Sequence, residues 1–181
     1  MGIEPTPIDK FVANTRFDGY SADPAHADNF VPVPQVGGFD YSMVSAELAA
    51  VSGMLALPIR LVNGRQRGGG GYGICHMLYK HDNGIANNGY WSVQDFVDEV
   101  AQRFDSVYQG EFGRWLLVYH GGRNPSLRRL LVLELRKGEQ PCYSIVSGWF
   151  VSARREINGT LVAEKIERDG VPVWERRAPR S

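Results

Sequence analysis

The stretch Gly71-Tyr-Gly-Ile-Cys-His-Met-Leu-Tyr-Lys-His81 sets the organisation of the chain. Glycines occupy positions 68–71 at its start, and Asp82-Asn-Gly84 follows its end. Both flanks are typical of turns. We therefore predict a helix of about two turns between them.

Three side chains of this helix can do chemistry. His76 and Lys80 are four residues apart and share one helix face, whereas His81 lies about 140° round from His76. A histidine in an apolar segment is usually structural, but two histidines and a lysine behind a glycine loop point as strongly to a cleft. The buried side is formed by apolar residues: Ile74, Met77 and Leu78.

Length and composition favour one domain. A chain of 181 residues, 43% of them hydrophobic, can bury a single core. Residues 1–41 contain five prolines and no sustained periodicity, so we predict an extended or partly ordered arm there and a single domain over 42–181. Neither a long apolar run nor a signal peptide is found, so the expected location is cytoplasmic, in the producer or in a target cell after delivery, without membrane binding.

Charge is divided unevenly along the chain. Residues 1–111 hold 7 basic and 13 acidic side chains, and residues 112–181 hold 13 basic and 7 acidic ones. This asymmetry indicates either a basic surface for an anionic partner or a solvated strand edge rich in arginine. The two cysteines, Cys75 and Cys142, make neither a disulfide framework nor a zinc pattern, so reduced thiols and no metal are expected.

Hydrophobic periodicity predicts an α+β fold: N-terminal helices packed on an antiparallel sheet of about four to five strands. Ser42, or less favourably Ser45, begins the first helix, and Ser92 with Asp95 begins a second. A mobile basic loop is predicted over 65–71. The predicted helices are at 42–55 and 92–108, and the predicted strands are at 58–62, 114–120, 128–136, 142–152, 161–167 and 171–177.

Several kinds of active site are excluded by their missing motifs. The glycine run lacks the Gly-Lys-Ser/Thr of a phosphate-binding loop. His76 and His81 are five apart with no glutamate between them, unlike a metal hydrolase. No Gly-X-Ser-X-Gly elbow is present. We therefore expect no cofactor.

Metal-free RNA cleavage suits the residues better. It needs groups that take and give a proton and cations that stabilise the charged phosphorane, and histidine, lysine and arginine supply these. Ser147 and Trp149 alternate on one face of the strand at 142–152, together with Ile145 and Val151. They form either a polar site or simple core packing.

Four segments follow one another along the chain: Ile59-Arg-Leu-Val-Asn-Gly64, the stretch 71–81, a helix, and Ile145-Val-Ser-Gly-Trp149. This succession resembles the barnase–EndoU–colicin–RelE-like nucleases. It is closest to their versions in phage proteins and bacterial polymorphic toxins, and it covers about residues 45–152. The resemblance implies that His76, Lys80 and His81 match the His and basic positions of the family's helix. It implies that Ser147 matches the hydroxyl position and Trp149 the aromatic one, where tyrosine is usual.

The expected function is a metal-independent endoribonuclease, an antibacterial toxin or phage-associated effector that cuts RNA by 2′-hydroxyl attack. Transfer RNA is a candidate substrate, and an acidic immunity or antitoxin protein is an expected partner. His76 would act as base or acid with His81 as its partner or support. The candidate site residues are the catalytic His76, Lys80, His81 and Ser147 and the substrate-binding Trp149, Arg154 and Arg155.

Two other functions stay open. One is a non-enzymatic protein-binding domain on the same fold. The other is an NAD-dependent ADP-ribosyl transferase using Glu164 and Glu167, although these are three residues apart and the usual Glu-X-Glu pair is two apart.

Overall fold

An eight-stranded mixed sheet, curled into a half-barrel, is the frame of the computed structural model, which describes residues 23–34 and 36–178. The strands are β1 (Asp40–Met43), β2 (Pro58–Leu61), β3 (Arg65–Arg67), β4 (Gly70–Tyr72), β5 (Ser106–Gln109), β6 (Trp115–Tyr119), β7 (Leu127–Arg136), β8 (Cys142–Ser152), β9 (Thr160–Arg168) and β10 (Val171–Arg176). The helices are α1 (Ala46–Ser52), α2 (Gly73–Asn87) and α3 (Val93–Arg103), with 3-10 turns at Pro24–His26 and Glu111–Gly113.

The large sheet has the order β1-β2-β8-β7-β6-β5-β9-β10, and β3 and β4 form a separate hairpin. Within the described residues all neighbours are antiparallel except β2 and β8, which run parallel. None of the helices described is long and apolar enough to cross a membrane.

The predicted arrangement of the fold is wrong, although the chain is α+β. The sheet has eight strands of mixed direction rather than four to five antiparallel ones, and the helices lie mostly in the middle of the chain. Two short strands of the large sheet escaped prediction. β1 has no apolar alternation, and β5 follows α3 so closely that Val107 continues the apolar stripe of the helix.

Helix ends follow local capping and tertiary packing. Ser45, not Ser42, caps α1, because its Oγ accepts from the Leu48 N–H over 3.1 Å. Ser92 caps α3 as predicted. Helix α2 has 15 residues and continues through Asp82-Asn-Gly84, where a turn was predicted, and it buries Ile85, the next residue.

Part of the predicted arm lies against the sheet. Its residues 1–22 and 35 are outside the described part of the chain. Of the rest, Val31 is fully buried and its N–H donates to the Leu61 carbonyl over 2.8 Å. The Tyr41 hydroxyl donates to the Pro32 carbonyl over 2.8 Å. This segment therefore extends the core beside β2.

Two apolar clusters lie on opposite faces of the sheet. Leu131 and Leu133 belong to the cluster that packs against the helices, whereas Leu130 and Val132 belong to the other. A register shift, in which Val132 pairs with Ser147 but Leu133 pairs with Ile145, makes a β-bulge in β8. The predicted strict alternation is therefore wrong: Ile145 faces the helices, and Trp149 packs on the other side.

Among the described residues, one edge of strand β8 lacks a strand partner over part of its length, and a helix packs there. β2 pairs with it only at residues 143–145, so beyond the bulge its strand neighbour is β7 alone. Helix α2 packs along β8 there. A Cβ at Gly148 would lie 3.0 Å from Met77 Cε and 2.6 Å from Leu131 Cδ2, so the missing side chain lets the helix approach.

Candidate active site

A cleft of about 390 Å³ opens between α2 and the bulged part of β8. It brings together all four predicted catalytic residues and the predicted aromatic residue, which come from two distant parts of the chain. Its walls are formed by ten residues: Gly71, Tyr72, His76, Lys80, His81, Arg114, Val132, Val146, Ser147 and Trp149.

Helix α2 begins where the backbone at Gly64 crosses the backbone at Tyr72 and Gly73. The Ile74 N–H donates to the Val62 carbonyl over 3.0 Å, so the first turn is capped by the end of β2 rather than by a side chain. Gly64 and Gly73 have φ of 71° and 74°, and a Cβ at Gly64 would lie 1.8 Å from the Tyr72 carbonyl oxygen. Two glycines thus let the chain leave and return at one point, and this anchors the histidine-bearing helix.

The intervening segment is the β3–β4 hairpin, not the predicted mobile loop. It carries Gln66, whose Oε1 lies 2.8 Å from Nδ1 of His76. The Gln66 Nε2 donates to the Gly68 carbonyl over 2.7 Å, which sets the amide with its oxygen toward the histidine. An oxygen there only accepts, so Nδ1 of His76 carries the proton and Nε2 keeps its lone pair.

Both histidines of α2 are held neutral. Burial lowers the pKa of His76, and the nearby Lys80 ammonium lowers it further. Burial likewise lowers the pKa of His81 to about 4, with added effects of His76 and Lys80. At neutral pH His76 is therefore ready to accept a proton, and His81 is a poor donor of one.

His81 contacts Trp149, which forms the aromatic wall of the cleft. Its ring stacks on Trp149 with 5.8 Å between centroids and 26° between planes. Its edge meets the His76 ring at 5.9 Å and 84°. His81 therefore lies in contact with both His76 and Trp149.

Three residues of the site were missed by sequence reasoning. Gln66 lies in a segment predicted as a loop, and no local signal links it to His76. Arg114 was taken only as the start of a strand, yet it lines the cleft and pairs with Glu134 over 2.6 Å. Tyr72, at the end of the glycine-rich entry, lines the cleft under the Arg65 guanidinium, 5.9 Å from its ring centroid.

Other predicted residues lie outside the cleft. Arg154 and Arg155 are exposed in the turn after β8, and Arg155 lines a neighbouring groove instead. Glu164 is paired with Arg177 over 2.7 Å. Glu164 and Glu167 are three apart on a regularly paired strand and so point to opposite faces, away from the cleft residues.

Among the residues described, no group of three histidine, cysteine or acidic side chains is placed to hold a metal ion. Comparisons of the chain with protein-family models, with curated proteins and with solved structures found no match.

Proposed function

We propose that the protein is a metal-independent endoribonuclease that cleaves RNA through attack of a ribose 2′-oxygen on the adjacent phosphorus. One observation carries the proposal: the cleft unites Lys80, Ser147 and Trp149 with a histidine whose Nε2 is set as an acceptor by Gln66. General base, cation, hydroxyl and aromatic surface are the groups that this reaction uses.

Each residue has a part in the reaction. Nε2 of His76 takes the 2′-proton as the 2′-oxygen bonds to phosphorus. The cation of Lys80 stabilises the phosphorane, and Ser147 donates to a phosphate oxygen. The bond to the 5′-oxygen then breaks, and that oxygen takes a proton from the Lys80 ammonium group. The products are a 2′,3′-cyclic phosphate and a 5′-hydroxyl, and Trp149 stacks on a base.

The test uses the pure protein, its His76→Ala variant and total cellular RNA in EDTA. Removing a general base slows such a reaction by about 10²–10⁴-fold. We expect the parent alone to produce fragments with cyclic-phosphate ends. His26→Ala is the control, because His26 is exposed and lies outside the cleft.

Two results would contradict the proposal. Equal cleavage by the parent and His76→Ala would show that this cleft does not carry out the cleavage. No cleavage by either folded protein, on total RNA or on purified transfer RNA, would favour the protein-binding alternative.

The proposal extends to a toxin or phage-associated effector, on the resemblance described above. Expression of the parent should then stop growth, and expression of His76→Ala should not. An acidic immunity protein that covers Lys80 would neutralise it, because this cation lines the cleft. Growth arrest by His76→Ala equal to that by the parent would argue against this extension.

A further inference from the structure

A groove of about 450 Å³ adjoins the cleft and shares three lining residues with it: Arg114, Val132 and Trp149. Its floor is the apolar sheet face that the helices leave uncovered. The floor residues are Leu116, Leu130, Val132 and Val151. The groove is therefore a continuation of the candidate active site across the sheet face opposite the helices.

Phe112 lines the rim of this groove, and both its exposed side chain and its backbone conformation are unfavourable. Its side chain is 92% exposed, and its backbone is left-handed, with φ 56° and ψ 31°. A bulky residue rarely adopts this conformation, and an apolar ring gains nothing from water. Such features persist most often where they serve binding. The 3-10 turn Glu111–Gly113 thus holds an aromatic ring beside an apolar groove.

The charges of the groove favour a neutral occupant. Arg114 is already paired with Glu134, and two glutamates, Glu111 and Glu156, line the same groove as Arg155. The rim therefore carries no excess of positive charge that would hold a phosphate. A flat group with an apolar face and a polar edge fits better, because its face meets Phe112 and the floor while its edge meets the charged rim.

The geometry points to the groove as the binding site of an unpaired nucleobase, next to the phosphate that is cut. This inference rests on the proposed ribonuclease function. Trp149 lies in both cavities, so a chain whose phosphate meets Lys80 places a neighbouring base over Phe112 and the groove. A base within a duplex is stacked on both sides and cannot enter. The substrate class is therefore single-stranded RNA or RNA loops.

The test measures binding without cleavage. The probes are fluorescein-labelled 2′-O-methyl oligonucleotides, which have no free 2′-hydroxyl to attack: one single strand, the same strand in a duplex, and an abasic strand of equal length. Fluorescence anisotropy gives the affinity of the parent, of Phe112→Ala and of Phe39→Ala. Phe39 is the matched control, since its ring is also exposed and lies outside the groove.

We expect the parent to bind the single strand about tenfold or more tighter than the duplex and the abasic strand. Phe112→Ala should lose most of that preference, and it should bind the abasic strand like the parent, because the ring then has no base to contact. Phe39→Ala should behave as the parent. Because Phe112 is almost fully exposed, its loss should not unfold the protein, and circular dichroism checks this.

Equal single-strand affinities for the parent and Phe112→Ala, or no binding of any probe, would overturn the inference. The proposed function fails separately, in the cleavage assay. Base-dependent binding through Phe112 without cleavage would support the base-binding site and contradict the proposed ribonuclease function. Cleavage that depends on His76 but not on Phe112 or on base pairing would support the ribonuclease function and contradict the base-binding site.

Discussion

Nδ1 of His76 and Oε1 of Gln66 lie 2.8 Å apart and join helix α2 to the β3–β4 hairpin. The hairpin is anchored at both ends where Gly64 meets Tyr72 and Gly73. A segment that looks like a flexible loop in sequence therefore holds the ring of the proposed base in one tautomer. Substitutions at this contact therefore test the proposed role of His76 directly.

Gln66→Glu should move the pH dependence of cleavage. A carboxylate at Nδ1 stabilises the imidazolium and raises the pKa of His76. The base must be neutral to act, so the acid limb of the kcat/KM profile should move to higher pH. Gln109→Glu, which adds the same charge at an exposed position outside the cleft, should leave the limb in place. An unmoved limb in Gln66→Glu would show that His76 is not the titrating base.

Lys80→Ala should lower kcat/KM about a hundredfold, as the loss of one group that stabilises transition-state charge commonly does. It should also move the acid limb to higher pH, because Lys80 lowers the pKa of His76. Lys80→Arg should keep the limb near its parental position and still be slow, since arginine cannot protonate the leaving oxygen. Lys137→Ala, in an exposed turn, is the control. A fast Lys80→Arg enzyme would assign the acid elsewhere.

Acid should destabilise the protein through His81. Its pKa of about 4 in the folded state lies below the ordinary value of 6.5, so the unfolded chain takes up the proton first. The contribution of His81 to the free energy of unfolding should therefore fall as the pH drops from about 6.5 to about 4, and level off below. His81→Phe keeps a ring on Trp149 but cannot titrate, and urea unfolding should show a shallower fall. A slope identical to that of the parent would mean that His81 titrates normally.

Two glycine substitutions should have opposite effects on stability. Gly148→Ala places a methyl group 3.0 Å from Met77 Cε and 2.6 Å from Leu131 Cδ2, and should cost about 1–3 kcal/mol of unfolding free energy. Cleavage should fall too, because α2 must move away from β8. Gly84→Ala lies in the exposed part of α2 with nothing within 4 Å, and should stabilise by up to about 1 kcal/mol. Urea unfolding of both variants gives the comparison. Stability changes of the same sign would contradict the packing argument.

Long periodic elements were predictable because their burial follows their own sequence. Helix α3 was predicted from its Ser92 cap, although the prediction ran five residues past Arg103, to 108, and the strands β7 to β10 were placed close to their observed bounds. β1 and β3 were not, because neither carries an apolar pattern: Asp40–Met43 is half polar, and Arg65–Arg67 is held by its pairing with β4. Their strand conformation comes from partners elsewhere in the chain.

The candidate site was predictable where chemistry is local to a motif. His76, Lys80 and His81 were found by their spacing, and Ser147 and Trp149 by their place on β8. The bulge at Val146 was not, since it depends on the pairing with β7. Gln66 and Arg114 reach the cleft only through the folding of the sheet around it.

The parallel pairing of β2 with β8 joins Ile59 to Tyr143, far apart along the chain. Such a contact closes a long loop, and forms late compared with the local hairpins of β6–β7 and β9–β10. Pulsed hydrogen exchange during refolding should show protection in β6 and β7 before β2, and the reverse order would refute this. During synthesis, a ribosome-bound chain that has not yet released Trp149 thus carries the two histidines of α2 without the strand that forms the opposite wall of the cleft.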